Sequence, residues 1–248
     1  YKIQTPMIRF IINNATKVSV ANEYEKNIFK KFIDESKIQI VRNGINLDIL
    51  KMKTNNFKNK YNITSNFILF VGRFNKVKGI DVLLHAIKIL KDKPELRDVS
   101  FVIMGVDFGF QEEMFSMINR LDIKEKILVI KNPSREDVIA AYGESEFLVL
   151  PSRWELSPLT PLEGFAFKKP VISTNVHGIP STITNKENGI LVSNENFREL
   201  AEAIIELINN KQKCLEYGLS GYNLVQDECN SKLMVKNTLK MYNEIVNK

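Results

Sequence analysis

Four residues set the chemistry this chain can do: Arg73, Lys78, Glu155 and Glu163. Arg73 and Lys78 lie in FVGRFNKVKG, Phe70 to Gly79, between an apolar run and an amphipathic one. If these are a strand and a helix, both cations stand at the strand's carboxyl end. Gly72 and Gly79 let the backbone approach a ligand closely there. Two cations and a helix N-terminus at one place suit a diphosphate; the alternative is a pair of solvated surface charges. The stretch is not a P-loop, because GK[ST] is missing, nor a dinucleotide fingerprint, because G-x-G-x-x-G is missing. Glu155 and Glu163, with seven residues between them, flank the end of a second apolar run. Both could face a ligand bound beyond that strand end. Each has a plainer reading. Glu155 is then a surface loop carboxylate. Glu163 closes a capping box in Thr160-Pro161-Leu162-Glu163, folded back onto the Thr160 N–H.

The elements that position these residues follow from the hydrophobic pattern. Phe147 to Leu150 reads as a buried strand, broken by Pro151 and Ser152. A polar loop carries Arg153, Trp154 and Glu155, a helix starts at about Pro161, and Val171 to Ser173 is the next strand. Upstream, strands are expected at Phe67–Val71, Ser100–Met104 and Ile127–Ile130. They alternate with helices over Gly79–Lys91, Phe110–Leu121 and, capped by Ser134, as far as Tyr142. Downstream come a strand, Gly189–Val192, and a helix, Asn196–Asn209. This alternation predicts an α/β fold with a doubly wound parallel sheet and right-handed crossovers. In such sheets ligands bind beyond the carboxyl ends of the strands. Nearer the N-terminus, Pro6 to Asn14 ends a helix, Lys17 to Val20 is a short strand, and Asn22 caps a helix through Phe32. Ile38 to Val41 is another strand, and Asn43-Gly44 signals a turn. A last helix, about Ser231 to Asn247, puts Val235, Leu239, Tyr242 and Val246 on one stripe. The chain carries no internal repeat and no low-complexity segment.

At 248 residues the chain has room for one large or two small domains, and 44% hydrophobic with 26% charged residues is ordinary for a globular core. No apolar run approaches the ~18 residues a spanning helix needs. The formal net charge of +6 favours an anionic partner such as a nucleotide or a membrane surface. Lys and Arg are scattered, so no nucleic-acid partner is expected. Cys214 and Cys229 have no metal spacing, and no D-x-D or His/Cys cluster is present, so no metal site is expected. A reduced, cytoplasmic setting is the expectation, or a peripheral one at the inner face of a membrane. Tyr1 in place of an initiator Met leads us to expect a piece of a longer protein.

The order of motifs adds a resemblance. PS-x-x-E-x7-E, followed by KKPVIST and Gly178, resembles the signature of retaining glycosyltransferases of family 4 (group 1), which have the GT-B fold. FVGRFNKVKG resembles the same family's phosphate-binding element. VRNGIN at Val41 to Asn46, SFVIMG at Ser100 to Gly105 and NGILV at Asn188 to Val192 resemble further landmarks, in order over nearly the whole chain. The resemblance implies that residues 1–46 are the tail of an N-terminal, acceptor-side Rossmann-like domain with the hinge, most of that domain being absent. Residues 47–248 are then the C-terminal nucleotide-sugar-binding domain, closed by a helix that crosses back to the N-terminal domain. It implies a hexosyltransferase whose substrate is a nucleotide-diphosphate sugar of UDP or GDP type, with no cofactor. The acceptor would be a saccharide or a lipid-linked one. Arg73 and Lys78 would stabilise the leaving diphosphate in place of a metal. Glu163 would hold the ribose hydroxyls, and Glu155 would lie by the donor sugar. The backbone N–H groups of Ser157, Leu159 and Thr160 would bind sugar and diphosphate. Lys131 and Asn132, which follow a strand end, are expected to touch the base through their backbone. The fragment alone would be largely inactive.

The chain also departs from that pattern. Pro158 stands where a Gly is common and removes one N–H donor, and Ser181 stands where a Glu often follows. Trp154 is expected to pack against the sheet, with the acceptor cleft as the alternative. His177 occupies a common Gly position and is expected to be structural. His85 lies off its helix's apolar stripe and is expected in solvent. The rival functions are a nucleotide-sugar epimerase of related fold, which needs no acceptor, and a non-catalytic nucleotide-sugar-binding subunit. A dehydrogenase is disfavoured by the missing glycine fingerprint.

Overall fold

The computed structural model describes residues 4–52 and 56–247. Two short strands, β1 (Val18–Val20) and β2 (Ile38–Ile40), pair in parallel with Val18 opposite Ile38. Helix α1 (Gln4–Asn14) precedes them and α2 (Glu23–Phe29) joins them. Asn22 caps α2 by accepting the Glu25 N–H at 2.9 Å, as its position before the helix requires. The helix stops at Phe29, three residues short of the expected end.

Beyond the Asn43-Gly44 turn the chain builds one sheet of six strands. These are β3 (Asn66–Val71), β4 (Val99–Gly105), β5 (Ile127–Lys131), β6 (Leu148–Leu150), β7 (Val171–Thr174) and β8 (Gly189–Val192). Their order is β5–β4–β3–β6–β7–β8, and every neighbouring pair is parallel. The chain works outward from β3 to β5, then returns to lay β6 on the other side of β3. The crevice of a doubly wound sheet opens at this reversal. Phe67 to Phe70 of β3 and all of β6 and β7 are buried, because helices cover both faces of a parallel sheet. Those helices include α3 (Phe57–Lys60), α4 (Ile80–Leu90), α5 (Gln111–Arg120), α6 (Arg135–Glu144), α7 (Leu159–Ala166), α8 (Phe197–Asn209) and α9 (Lys211–Asp227). The fold is the expected α/β one, a Rossmann-like half of the GT-B type.

The final helix, α10 (Ser231–Val246), lies beside the chain's exit from the first sheet. The Ile45 N–H donates to the Cys229 carbonyl at 2.8 Å, and the Ser231 N–H donates to the Ile45 carbonyl at 3.0 Å. Its apolar stripe is open rather than docked on the sheet, with Leu239 55% and Val246 80% exposed. Among the described residues no helix is long and apolar enough to cross a membrane.

Candidate functional site

Two loops leave the sheet at its reversal, and they lock together. The first follows β3. Phe74, fully buried, anchors it through its N–H to the Val106 carbonyl at 2.7 Å. The Asn75 side chain accepts the Lys78 N–H at 3.1 Å and closes the turn. Gly79 then takes a φ of +66°, and a Cβ there would lie 1.9 Å from the Pro151 carbonyl oxygen. Only glycine lets this turn press against the second loop, which begins at Pro151.

Contact between the loops brings Lys78 to Glu155. The ammonium pairs with Glu155 Oε1, which also accepts the Ser152 hydroxyl at 2.9 Å. Both side chains are mostly buried, so each charge relies on the other. Arg73 is not part of this pair. It is exposed, with its guanidinium 5.1 Å from the centre of the Phe108 ring. The two cations expected at one place have different partners here, one neutralised and one over an aromatic face.

Glu163 departs from its sequence reading as a cap. Helix α7 begins at Leu159, directly after Pro158, and no side chain caps it. Pro158 is fixed in an extended conformation, so the helix starts two residues before the expected box, and Pro161 falls in the first turn where its missing N–H is harmless. Thr160 is thus inside the helix, and Glu163 is too far along to reach its start. The carboxylate instead accepts the Tyr142 hydroxyl at 2.7 Å and pairs with Arg135 at 2.7 Å, both from α6. Burial, then the Glu163 charge, pushes the Tyr142 hydroxyl well above its usual pKa, so it stays a donor.

The uncapped end of α7 leaves the Leu159 and Thr160 N–H groups facing outward from a helix start, a place that favours anions. Ser157 is engaged from another direction, its hydroxyl accepting Asn43 Nδ2 at 2.9 Å. Lys131 ends β5 and Asn132 follows it, both exposed and away from the Lys78–Glu155 pair in sheet order. Gly72, after β3, donates its N–H to the Met104 carbonyl at 3.0 Å.

Sequence reasoning missed the residues that hold the loops. Arg153 makes two parallel 2.8 Å bonds to Asp81 on α4, and its Nε meets Glu195 at 2.7 Å. Burial alone would raise the Asp81 carboxyl, but the Arg153 guanidinium outweighs it and holds it below its usual pKa. Asn22 Nδ2 donates to the Leu156 carbonyl at 2.7 Å and so grips the Glu155 loop from the first sheet. Trp154 does not pack on the sheet, being 49% exposed. Arg153 and Glu155 on either side of it turn inward, which sends the indole out. His85 is half-buried, not solvated, and lies against the Phe197 ring at 5.4 Å. Among the described residues no group of three or more His, Cys, Asp and Glu gathers as for a metal ion.

The family described as "Glycosyl transferases group 1" matches residues 51–223. An uncharacterized glycosyltransferase of Methanocaldococcus jannaschii is 32% identical over 215 residues, covering 86% of this chain and 55% of that protein. The capsular polysaccharide biosynthesis glycosyltransferase CapM of Staphylococcus aureus is 28% identical over 244 residues, covering 92% of this chain and 62% of that protein. The chain therefore spans a little over half the length of these relatives. Among solved structures, Anabaena HepE in complex with UDP superposes with a TM-score of 0.81 at 17% identity, over 94% of this chain and 64% of that one.

Proposed function

We propose, because this chain belongs to the group 1 glycosyltransferases, that it is the donor-binding half of a retaining hexosyltransferase. Residues 1–46 are read as the tail and hinge of an acceptor-side domain, and residues 47–248 as the domain that holds the donor. The donor is a nucleotide-diphosphate sugar of UDP or GDP type, and the acceptor a saccharide or a lipid-linked one. The observation that carries this reading is the buried Lys78–Glu155 pair at the sheet reversal, close in the chain to the uncapped start of α7. A diphosphate entering there meets one cation and the Leu159 and Thr160 N–H groups, and Arg73 can swing to it from Phe108. The HepE complex, of like fold, holds UDP, and the work of CapM in polysaccharide biosynthesis fits a saccharide acceptor.

The roles follow from charge. As the bond from the sugar C1 to the diphosphate oxygen breaks, negative charge grows on the diphosphate and positive charge on the sugar ring. Lys78 and Arg73 stabilise the first, and Glu155 the second. The new bond from C1 to the acceptor oxygen forms on the same face. The acceptor's proton passes to the departing phosphate oxygen, with no covalent enzyme intermediate. Glu163 takes the ribose hydroxyls, and Arg135, half exposed, makes way for them. Calorimetry with UDP and GDP tests the reading. Arg73→Ala and Lys78→Ala should each weaken binding roughly 10- to 100-fold, the size of one charge-assisted hydrogen bond to phosphate. Unchanged dissociation constants in folded variants would overturn it.

A further inference from the structure

Three chain segments meet in an aromatic corner beside Glu155. Trp154 comes from the loop after β6, His177 from the loop after β7, and Tyr24 from α2. The Trp154 and His177 rings are 6.0 Å apart at 57°, and Tyr24 meets His177 edge-on at 5.5 Å. The corner is built rather than incidental. The Gly178 N–H donates to the Glu155 carbonyl at 3.0 Å, which joins the two loops one residue beyond each ring. Asn22, two residues before Tyr24, holds the Leu156 carbonyl. The Tyr24 hydroxyl bonds His177 Nδ1 at 2.7 Å, fixing the imidazole plane. His177 has a φ of +49°, a conformation costly to a side-chain-bearing residue, at a position where glycine would be unstrained. Nothing in the core needs this ring, because both His177 and Trp154 are exposed.

We infer that Trp154 and His177 form a subsite for a hexose ring of the saccharide acceptor. A hexose has a face of C–H groups and a rim of hydroxyls, so it needs an apolar plane beside hydrogen-bonding groups. An indole offers the plane with a polar N–H at its edge. His177 keeps Nε2 clear of the Tyr24 bond, and the Tyr24 oxygen can accept as well as donate. The corner adjoins Glu155 in the chain, and it draws on α2 as well as on the Glu155 loop. It therefore lies where acceptor and transferred sugar would meet if the donor site is the one proposed above. The inference rests on that reading for the word acceptor, but not for saccharide binding itself.

Trp154 is the chain's one tryptophan, so a single indole N–H resonance reports on this corner. The whole chain, labelled with 15N, is titrated with glucose, galactose, N-acetylglucosamine and their methyl glycosides, with UDP as a separate arm. We expect at least one saccharide to shift the indole resonance saturably, and to do so with UDP already bound. His177→Gly, which suits the local φ, should retain the fold and weaken that saccharide roughly threefold to tenfold, the scale of one lost aromatic contact. Trp154→Leu, followed by calorimetry, should abolish saccharide binding and leave UDP affinity unchanged. No shift with any saccharide, or equal affinity in His177→Gly, would overturn the subsite. UDP binding that survives in that case would leave the donor reading standing, whereas saccharide binding without UDP binding would sink the donor reading alone.

Discussion

Glu163 meets a buried hydroxyl on one oxygen and a half-exposed guanidinium on the other, and this asymmetry suits a group that must receive a diol. Tyr142 holds the carboxylate from within the core while Arg135 occupies the outer oxygen. Glu163→Gln should therefore bind a ribonucleotide less well, and discriminate it from its 2′-deoxy analogue much less than the wild type does. If both proteins treat the two nucleotides alike, Glu163 does not hold ribose. Tyr142→Phe should keep the packing and lose one hydrogen bond to a charged acceptor, weakening nucleotide affinity by about 1 kcal/mol through a looser carboxylate. Identical affinity in that variant would show that Tyr142 does not orient Glu163. If Lys78 and Arg73 supply the charge for a diphosphate, as proposed, affinity measured with and without EDTA should agree, and a strict magnesium requirement would contradict that assignment. In the sequence Glu163 was visible as a candidate site residue, but its partner was not. Tyr142 lies 21 residues away on another helix, and pairings across elements leave no mark in local spacing.

At the scale of elements, Arg153 fastens the loop that carries Glu155 to the first turn of α4. Its fork matches the Asp81 carboxylate in a way that lysine cannot. Arg153→Lys and Asp81→Asn should each lower stability by ~1–3 kcal/mol, since either leaves a partly buried partner short of hydrogen bonds. The pH dependence has a definite sign. The Asp81 carboxyl sits below its usual value in the folded chain, so its stabilisation is full above the ordinary value near ~4 and fades as pH falls through the folded one. Urea titrations should show a wild-type advantage over Asp81→Asn at pH 7 that shrinks on acidification. An advantage that is constant down to strong acid would mean that the ion pair contributes nothing. The strands were legible to within a residue or two, because each is a short and mostly apolar run. Helix α9 was not expected at all. Only Tyr217, Gly218, Gly221 and Val225 of it are buried, and Gly221 lies so close to Phe165 that a Cβ would come within 2.3 Å of the ring. A helix that packs through glycine shows no clear apolar stripe, and glycine in its interior looks like a breaker.

The whole molecule presents two open apolar faces near its termini. Met7, Phe10 and Ile11 on α1 are 55% or more exposed, as are Leu239, Tyr242 and Val246 on α10. The stripe on α10 was legible in the sequence, and the packing leaves it open. The relatives are longer than this chain, which spans 55% of one and 62% of another. On the reading proposed here, a second domain forms the other wall of the cleft, with the β1–β2 pair as its near edge. Transfer depends on holding donor and acceptor in near-attack geometry, which can supply ~7–11 kcal/mol of the barrier. With one wall the donor pocket keeps Lys78, Arg73 and both glutamates, so nucleotide affinity should survive in part. The sugar stays open to water, and the acceptor is held only where the Trp154 corner can reach it. We expect this chain to bind UDP or GDP but to transfer orders of magnitude more slowly than a longer form with the proposed acceptor-side domain. The check is to give both forms the same nucleotide sugar and a panel of saccharide acceptors, and to measure product and free-sugar release side by side. Comparable turnover by the two would place the complete acceptor site within these 248 residues and overturn the two-walled reading.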